Sequence, residues 1–282
     1  MQMVENGSFF SPCYRLNDPE DVAKIYSKAN LPAFTGITDE DKSHINRARY
    51  NLFALLIPVH DRETALQEFL EVSLAWAEQS KHFTALEITK TFLKYEQVNS
   101  NEGFLKKYTE ESFLYHILNQ ALRRLKSPMD NFYIRQPFQD LFFAVLELYY
   151  QQDPFRKTDF TCYRACTISD EEFDRFSLNI GGFVQMEGFL SSSLKLDVAL
   201  QHYAQYGNNT LVEIRVNAGN FKGDLDWGFA SLRHCSTFKE EDEVLFNPIN
   251  IFKVYACLER QEKKFSKGNK LEVKRVVVLE FG

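Results

Sequence analysis

Apolar residues recur at helical spacing through the first half of the chain and alternate through much of the second. Phe113, Leu114, Ile117, Leu118, Ala121, Leu122 and Leu125 fall at three- and four-residue steps. That pattern predicts one amphipathic helix with a single buried stripe. Arg123, Arg124 and Lys126 close it, where cations complement the helix dipole. Phe138 to Tyr149 predicts a strongly apolar helix, and Thr64 to Tyr95 predicts two more. Upstream, Asp18-Pro19-Glu20 opens a helix running to about Ala29, with Asp18 as cap and Pro19 in the first turn. Leu31-Pro32 and Gly36 break it, and Asp39 to Leu56 predicts another helix before Pro58. The polar run Asn99 to Gly103 predicts a loop. No fixed-period repeat is present.

After Asp159 the pattern changes. Phe160–Cys166 predicts a short strand. Ser169-Asp170-Glu171-Glu172 is a capping box opening a helix to about Phe176, and Gly181-Gly182 ends that unit. Phe189-Leu190-Ser191 predicts a strand end, with Ser192-Ser193 beginning a turn. Asp197 to Ala204 predicts a short helix. Leu211–Val216, Val244–Phe246, Ile251–Leu258 and Val273–Phe281 predict strands. Helices in one half and strands in the other imply an α+β fold with a mixed, mostly antiparallel sheet.

Composition narrows the function. The 282 residues are 44% hydrophobic and 26% charged, the profile of a globular protein, and 26 phenylalanines predict an aromatic-rich core. A net charge of −6 argues against nucleic acid and against electrostatic attachment to an anionic membrane as partners. Cys13, Cys162, Cys166, Cys235 and Cys257 form no disulfide framework and predict buried thiols in a reducing compartment. Their spacing fits no zinc pattern, so no metal is expected. The N-terminus lacks the layout of a signal peptide. The apolar runs at Tyr50–Val59 and Asp140–Tyr150 are too short to cross a bilayer. The expectation is a monomer acting in a cytoplasm, or delivered into one.

One polar stretch stands out. Glu240, Glu241, Asp242 and Glu243 precede the buried strand Val244–Phe246. Adjacent carboxylates repel, so their gathering does not serve stability. Strand alternation would put Glu241 and Glu243 on one face and Asp242 on the other. The bland alternative is a solvated acidic turn.

Two further sites precede it: Tyr163-Arg164 and Phe189-Leu190-Ser191-Ser192-Ser193. Alone, the first reads as a surface ion-pair residue and the second as a loop. In this order, followed by Glu241-Asp242-Glu243-Val244-Leu245, they resemble the arginine–serine–glutamate group of mono-ADP-ribosyltransferases. That group includes arginine-modifying vertebrate enzymes and bacterial toxins. Its pattern is an aromatic-Arg pair, an aromatic-x-Ser-(Thr/Ser)-Ser strand and a Glu-x-Glu before Val-Leu. Tyr108-Thr109, Asn119, Leu122-Arg123, Val198-Ala199 and Ser236-Thr237-Phe238 match as well. The likeness implies an N-terminal helical extension over 1–60 and a transferase domain over 61–282, with helices at 61–150 and the β core at 159–282. Residues up to about Leu56 would either recognise the target or extend the core, the structural role being slightly favoured. Two positions depart from the family: Ala165 stands where Gly is frequent, and Ser192 where Thr is commoner.

The resemblance implies transfer of ADP-ribose from NAD to an arginine side chain of a protein. Glu243 would stabilise the ribose cation and hold its 2′-hydroxyl, Ser191 would orient Glu243, and Arg164 would grip the pyrophosphate. Glu241 would serve the incoming guanidinium. Ala165, Ser193, Phe238 and an aromatic at His202 or Tyr203 would complete the NAD site. Ser236 reads equally as loop structure or as a ligand contact. The alternatives are an NAD glycohydrolase, with water as acceptor, and a non-catalytic NAD-binding module.

Overall fold

A computed structural model of the chain describes residues 52, 54–56, 59, 61–80, 83–110, 113–123, 132–186, 188–220, 228–264 and 270–281. The helix expected over Asp18–Ala29, most of the one over Asp39–Leu56, Cys13, and Arg124, Leu125 and Lys126 lie outside them. The described chain has an α+β fold, with helices first and a mixed sheet after.

The helical half comprises α1 (Arg62–Ser80), α2 (Ala85–Glu96), α3 (Asn101–Thr109), α4 (Phe113–Arg123) and α5 (Arg135–Gln151), followed by the single turn α6 (Asp153–Arg156). The loop expected at Asn99–Gly103 is a correction: most of it is the first turn of α3. Ser100 caps that helix by accepting the Gly103 N–H, so the polar run is a helix start rather than a turn. α5 begins three residues before Phe138, with Pro137 in its first turn, where no N–H is required.

The stripe on α4 behaves as its spacing demands. Phe113, Ile117 and Leu118 are buried with Phe69, Phe92, Leu105, Phe138 and Phe142 in one core. Leu52, Leu55 and Leu56 are buried in the same core, so it extends to the N-terminal side of residue 60. Asp140 of α5, its side chain 11% exposed, is a polar group at the edge of this core. It accepts from Arg62 at 3.0 Å, Tyr95 at 2.5 Å and Gln136 at 2.8 Å. Asp140→Ala strands three donors, one of them a partly exposed guanidinium. A loss of about 2 kcal/mol in unfolding free energy is expected, read by urea denaturation.

Eight strands follow: β1 (Phe160–Cys166), β2 (Phe183–Gln185), β3 (Leu190–Ser193), β4 (Thr210–Val216), β5 (Phe229–Ser231), β6 (Glu243–Phe246), β7 (Ile251–Lys264) and β8 (Lys270–Phe281). Between them lie α7 (Asp170–Leu178), opened by the Ser169–Glu172 capping box, and α8 (Leu196–Gln205). The sheet order is β2-β7-β8-β4-β1-β3-β6-β5. Among the described residues β4 and β8 run parallel and every other neighbouring pair is antiparallel. One face packs an aromatic cluster that includes Phe229, Phe246, Phe252 and Phe281. Elsewhere, Ala199, Leu200 and Tyr203 of α8 pack on Leu211, Val276 and Val278.

Two strand readings need correcting. Ser192 and Ser193 do not begin a turn; they continue β3, paired with Val244 and Glu243 of β6. Their small polar side chains gave no apolar alternation to extend the strand. β7 and β8 also run past Leu258 and before Val273, because their exposed, charged ends carry no burial signal.

Candidate active site

β1 pairs with β3 at Tyr163↔Ser193 alone. Where the two strands part, a cleft of about 700 Å³ opens, within the range of small-molecule sites. One wall is Tyr108, Thr109 and Glu110 at the end of α3 with Tyr115 and His116 of α4. The floor is Tyr163, Arg164 and Ala165 of β1 with the serines of β3. The other wall is Val198, Ala199 and His202 of α8 with Tyr206, and Phe238, Glu241 and Glu243 lie at the sheet end.

Glu243 is the buried acid of this cleft, only 7% exposed. Ser191 Oγ donates to its Oε1 at 2.6 Å and Ser236 Oγ donates to its Oε2 at 3.2 Å. Burial raises its pKa above the ordinary glutamate value, and the negative charge of Glu241 adds to that. The two serine bonds and the Arg164 cation oppose the rise without cancelling it. Ser236, ambiguous in sequence, thus positions the acid. It also accepts the Phe238 N–H at 3.1 Å.

Arg164 follows the β1 residue that pairs with β3, and stays paired with Val212 of β4 on its other side. Its Nη1 donates to the Ser191 carbonyl at 2.7 Å and its Nη2 to the Tyr115 hydroxyl at 3.3 Å. A guanidinium has five N–H donors, so others remain for an anionic ligand. The β3 serines divide their work. Ser192 Oγ donates to the Val244 carbonyl inside the sheet, and Ser193 Oγ donates to the Glu241 carbonyl at 2.5 Å.

A second network fixes the start of β3. Asn119 Nδ2 donates to the Tyr108 hydroxyl at 2.7 Å, and its Oδ1 accepts the Phe189 N–H at 2.9 Å. Gly188, with φ +137°, lies so close that a Cβ would stand 2.5 Å from that oxygen. Glycine is therefore required there, on grounds of both conformation and space.

The face-sharing argument for the two glutamates does not hold. Glu241 belongs to a 3₁₀ turn, Lys239–Glu241, and Asp242 takes a left-handed conformation. β6 starts only at Glu243. Both carboxylates nevertheless line the cleft, Glu243 from the start of β6 and Glu241 from the turn before it. Of the two aromatic candidates on α8, His202 lines the cleft, with its Nε2 3.5 Å from Glu241 Oε1. Tyr203 does not: its ring is in the core and its hydroxyl accepts the Lys274 N–H at 2.8 Å. Ala165 and Phe238 both line the cleft. Tyr115 and Tyr206 were missed as site residues. The i, i+4 spacing of His202 and Tyr206 places them on one helical face and was the available signal for the second.

Cys162 and Cys235 are buried thiols, which desolvation pushes up to about 12 and about 11, so neither is a ready nucleophile. Among the described residues no group of His, Cys, Asp and Glu is placed to hold a metal, and no helix is long and apolar enough to cross a membrane.

The sequence matches the NAD:arginine ADP-ribosyltransferase family over residues 59–266. No curated protein matches it significantly. Among solved structures it is similar to the ADP-ribosyltransferase HopU1 of Pseudomonas syringae, at 15% identity over 78% of this chain and 97% of that one, TM-score 0.49. It is also similar to Exoenzyme S from Pseudomonas aeruginosa, solved in complex with human 14-3-3 protein beta. That alignment has 18% identity over 77% and 89% of the two chains, TM-score 0.43. Plx2a, an ADP-ribosyltransferase toxin from Paenibacillus larvae, aligns at 14% identity over 76% and 96%, TM-score 0.45.

Proposed function

The chain belongs to the NAD:arginine ADP-ribosyltransferase family, and we propose that it transfers ADP-ribose from NAD to arginine side chains of a protein, releasing nicotinamide. The observation that carries this reading is a buried, doubly hydrogen-bonded Glu243 with a second, half-exposed carboxylate, Glu241, in the same cleft.

The chemistry follows from charge. As the bond between nicotinamide and ribose breaks, its electron pair leaves with nicotinamide and positive charge develops on the ribose. Glu243, desolvated and fixed by two serines, stabilises that charge without having to reorganise. Arg164 supplies N–H donors to the pyrophosphate. A guanidinium nitrogen then attacks the ribose carbon. Glu241 takes the proton that the guanidinium gives up, which its very high pKa otherwise retains. The partly exposed Glu241 suits an acceptor arriving from solvent. The reading carries with it a protein that acts in a cytoplasm or is delivered into one, where NAD is available.

The direct test incubates the protein with labelled NAD and agmatine, a free guanidine. Label on agmatine supports the reading; nicotinamide release with no label on agmatine or any protein makes the protein a glycohydrolase. NAD binding has its own test. Arg164→Lys cannot keep both the strand and tyrosine contacts and still offer a planar fork to the pyrophosphate. Its Kd for NAD is expected to rise about tenfold by calorimetry, with the fold intact. Unchanged affinity would remove Arg164 from the site.

A further inference from the structure

Glu241 and Glu243 are two residues apart, yet one lies in a turn and the other in a strand. What turns Glu241 toward the cleft that Glu243 already faces is the residue between them. Asp242 has φ 45° and ψ 53°, one of only two left-handed non-glycine residues among those described. Aspartate tolerates that region better than most residues, but the conformation still needs outside support.

That support is unusually complete. Asp242 Oδ2 lies 3.0 Å from Lys195 Nζ and its Oδ1 lies 3.2 Å from Arg233 Nε. Its carbonyl accepts the Leu194 N–H at 3.1 Å. Lys195 Nζ also donates to the Glu240 carbonyl at 2.6 Å. Two separate chain segments thus grip one largely buried carboxylate: the connection between β3 and α8, and the segment after β5.

We propose that Asp242, clamped between Lys195 and Arg233, is a positioning residue that holds the Glu241 carboxylate at the acceptor side and so sets the balance of transfer over hydrolysis. The inference rests on the arginine-transfer reading above. Its physical basis is that the two carboxylates are secured separately, although Ser193 holds both backbones, as ladder partner of Glu243 and as donor to the Glu241 carbonyl. Glu243 is held by its ladder partner Ser193 and by the Ser191 and Ser236 hydroxyls, none of which involves Asp242. Among the described residues the Glu241 carboxylate has the His202 ring as its close side-chain neighbour, at 3.5 Å, so its place depends on the turn. Loosening the clamp displaces Glu241 and leaves Glu243 where it is. The cationic partners are 48% and 67% exposed, and exposed ion pairs add little to global stability. The expected consequence is therefore catalytic rather than a loss of fold.

The test measures two rates on the same proteins: label transferred to agmatine, and nicotinamide released without acceptor. Asp242→Ala is expected to lower transfer kcat/KM about tenfold, mainly through the agmatine KM, while acceptor-free release changes by less than about threefold. Asp242→Asn keeps the left-handed preference and oxygen acceptor, so it should recover part of the transfer. The double variant Lys195→Met with Arg233→Met removes the clamp from the other side and should reproduce the Asp242→Ala ratio. Equal loss of both rates in Asp242→Ala, or no change in their ratio, would overturn the proposal. If the wild-type protein itself labels no agmatine and no protein, the arginine reading falls and takes this inference with it. Wild-type transfer with an unchanged ratio in the variants sinks this inference alone.

Discussion

Glu243→Gln is expected to lose both nicotinamide release and agmatine labelling, each by on the order of a hundredfold or more. The substitution keeps the size of the side chain and removes its charge. A neutral amide still accepts the Ser191 hydrogen bond, so the loss measures electrostatics rather than packing. The same change should raise thermal stability at neutral pH. Burial raises the folded-state pKa of Glu243 above its value in the unfolded chain. The stabilising contribution of its protonated form is fully present below the ordinary glutamate value. It is lost as pH rises through the raised folded value, so the ionised acid burdens the fold at neutral pH. Glutamine removes that burden. Activity has the opposite dependence: it needs the carboxylate, so it should fall on acidification at a higher pH than an exposed glutamate would dictate. Scanning calorimetry of both proteins at neutral pH, and a pH–rate profile of the wild type, check the two halves. A variant that retains nicotinamide release would remove Glu243 from the reaction. A variant less stable than the wild type would show that the hydroxyls outweigh desolvation.

Glu241→Gln is the second large effect, and it should be selective. Cleavage of NAD needs the ribose cation stabilised whatever the acceptor, whereas only transfer needs a carboxylate for the guanidinium. Labelling of agmatine is expected to fall by about a hundredfold, the range for loss of a general base. Acceptor-free nicotinamide release should remain within a few fold. One complication has a definite sign. Glu241 raises the Glu243 pKa through its charge. Its removal should therefore shift the acid limb of the hydrolysis profile to lower pH. Wild-type transfer to agmatine by Glu241→Gln would end the assignment of Glu241 to the acceptor.

Much of the fold was legible because burial leaves a periodic trace. The α4 stripe, the two capping residues of the Ser169 box and the buried run Val244–Phe246 each carry local physics that survives any context. The site residues were legible in a different way. Arg164, Ser191, Glu241 and Glu243 were singled out through their order along the chain and a family likeness. Local chemistry alone favoured a salt bridge, a loop and an acidic turn. The choice between His202 and Tyr203 stayed open because adjacent positions on a helix point about a quarter-turn apart, and a sequence does not say which direction faces the cleft.

Local sequence was enough for most of the longer helices and strands, for the aromatic character of the core, and for which polar residues were chemically out of place. How they meet depends on contacts distant in the chain. Folding splayed β1 from β3 beyond Tyr163↔Ser193 to open the cleft, and it extended β3 through Ser193 by pairing with β6. It brought Ser236 onto Glu243, and it turned Asp242 into the left-handed region so that two glutamates in different backbone conformations face one cavity. The reason is physical. Helical stripes and caps act between residues a few positions apart, whereas the Ser191–Glu243 and Lys195–Asp242 contacts join segments about fifty residues apart. Neither leaves any periodicity in the chain.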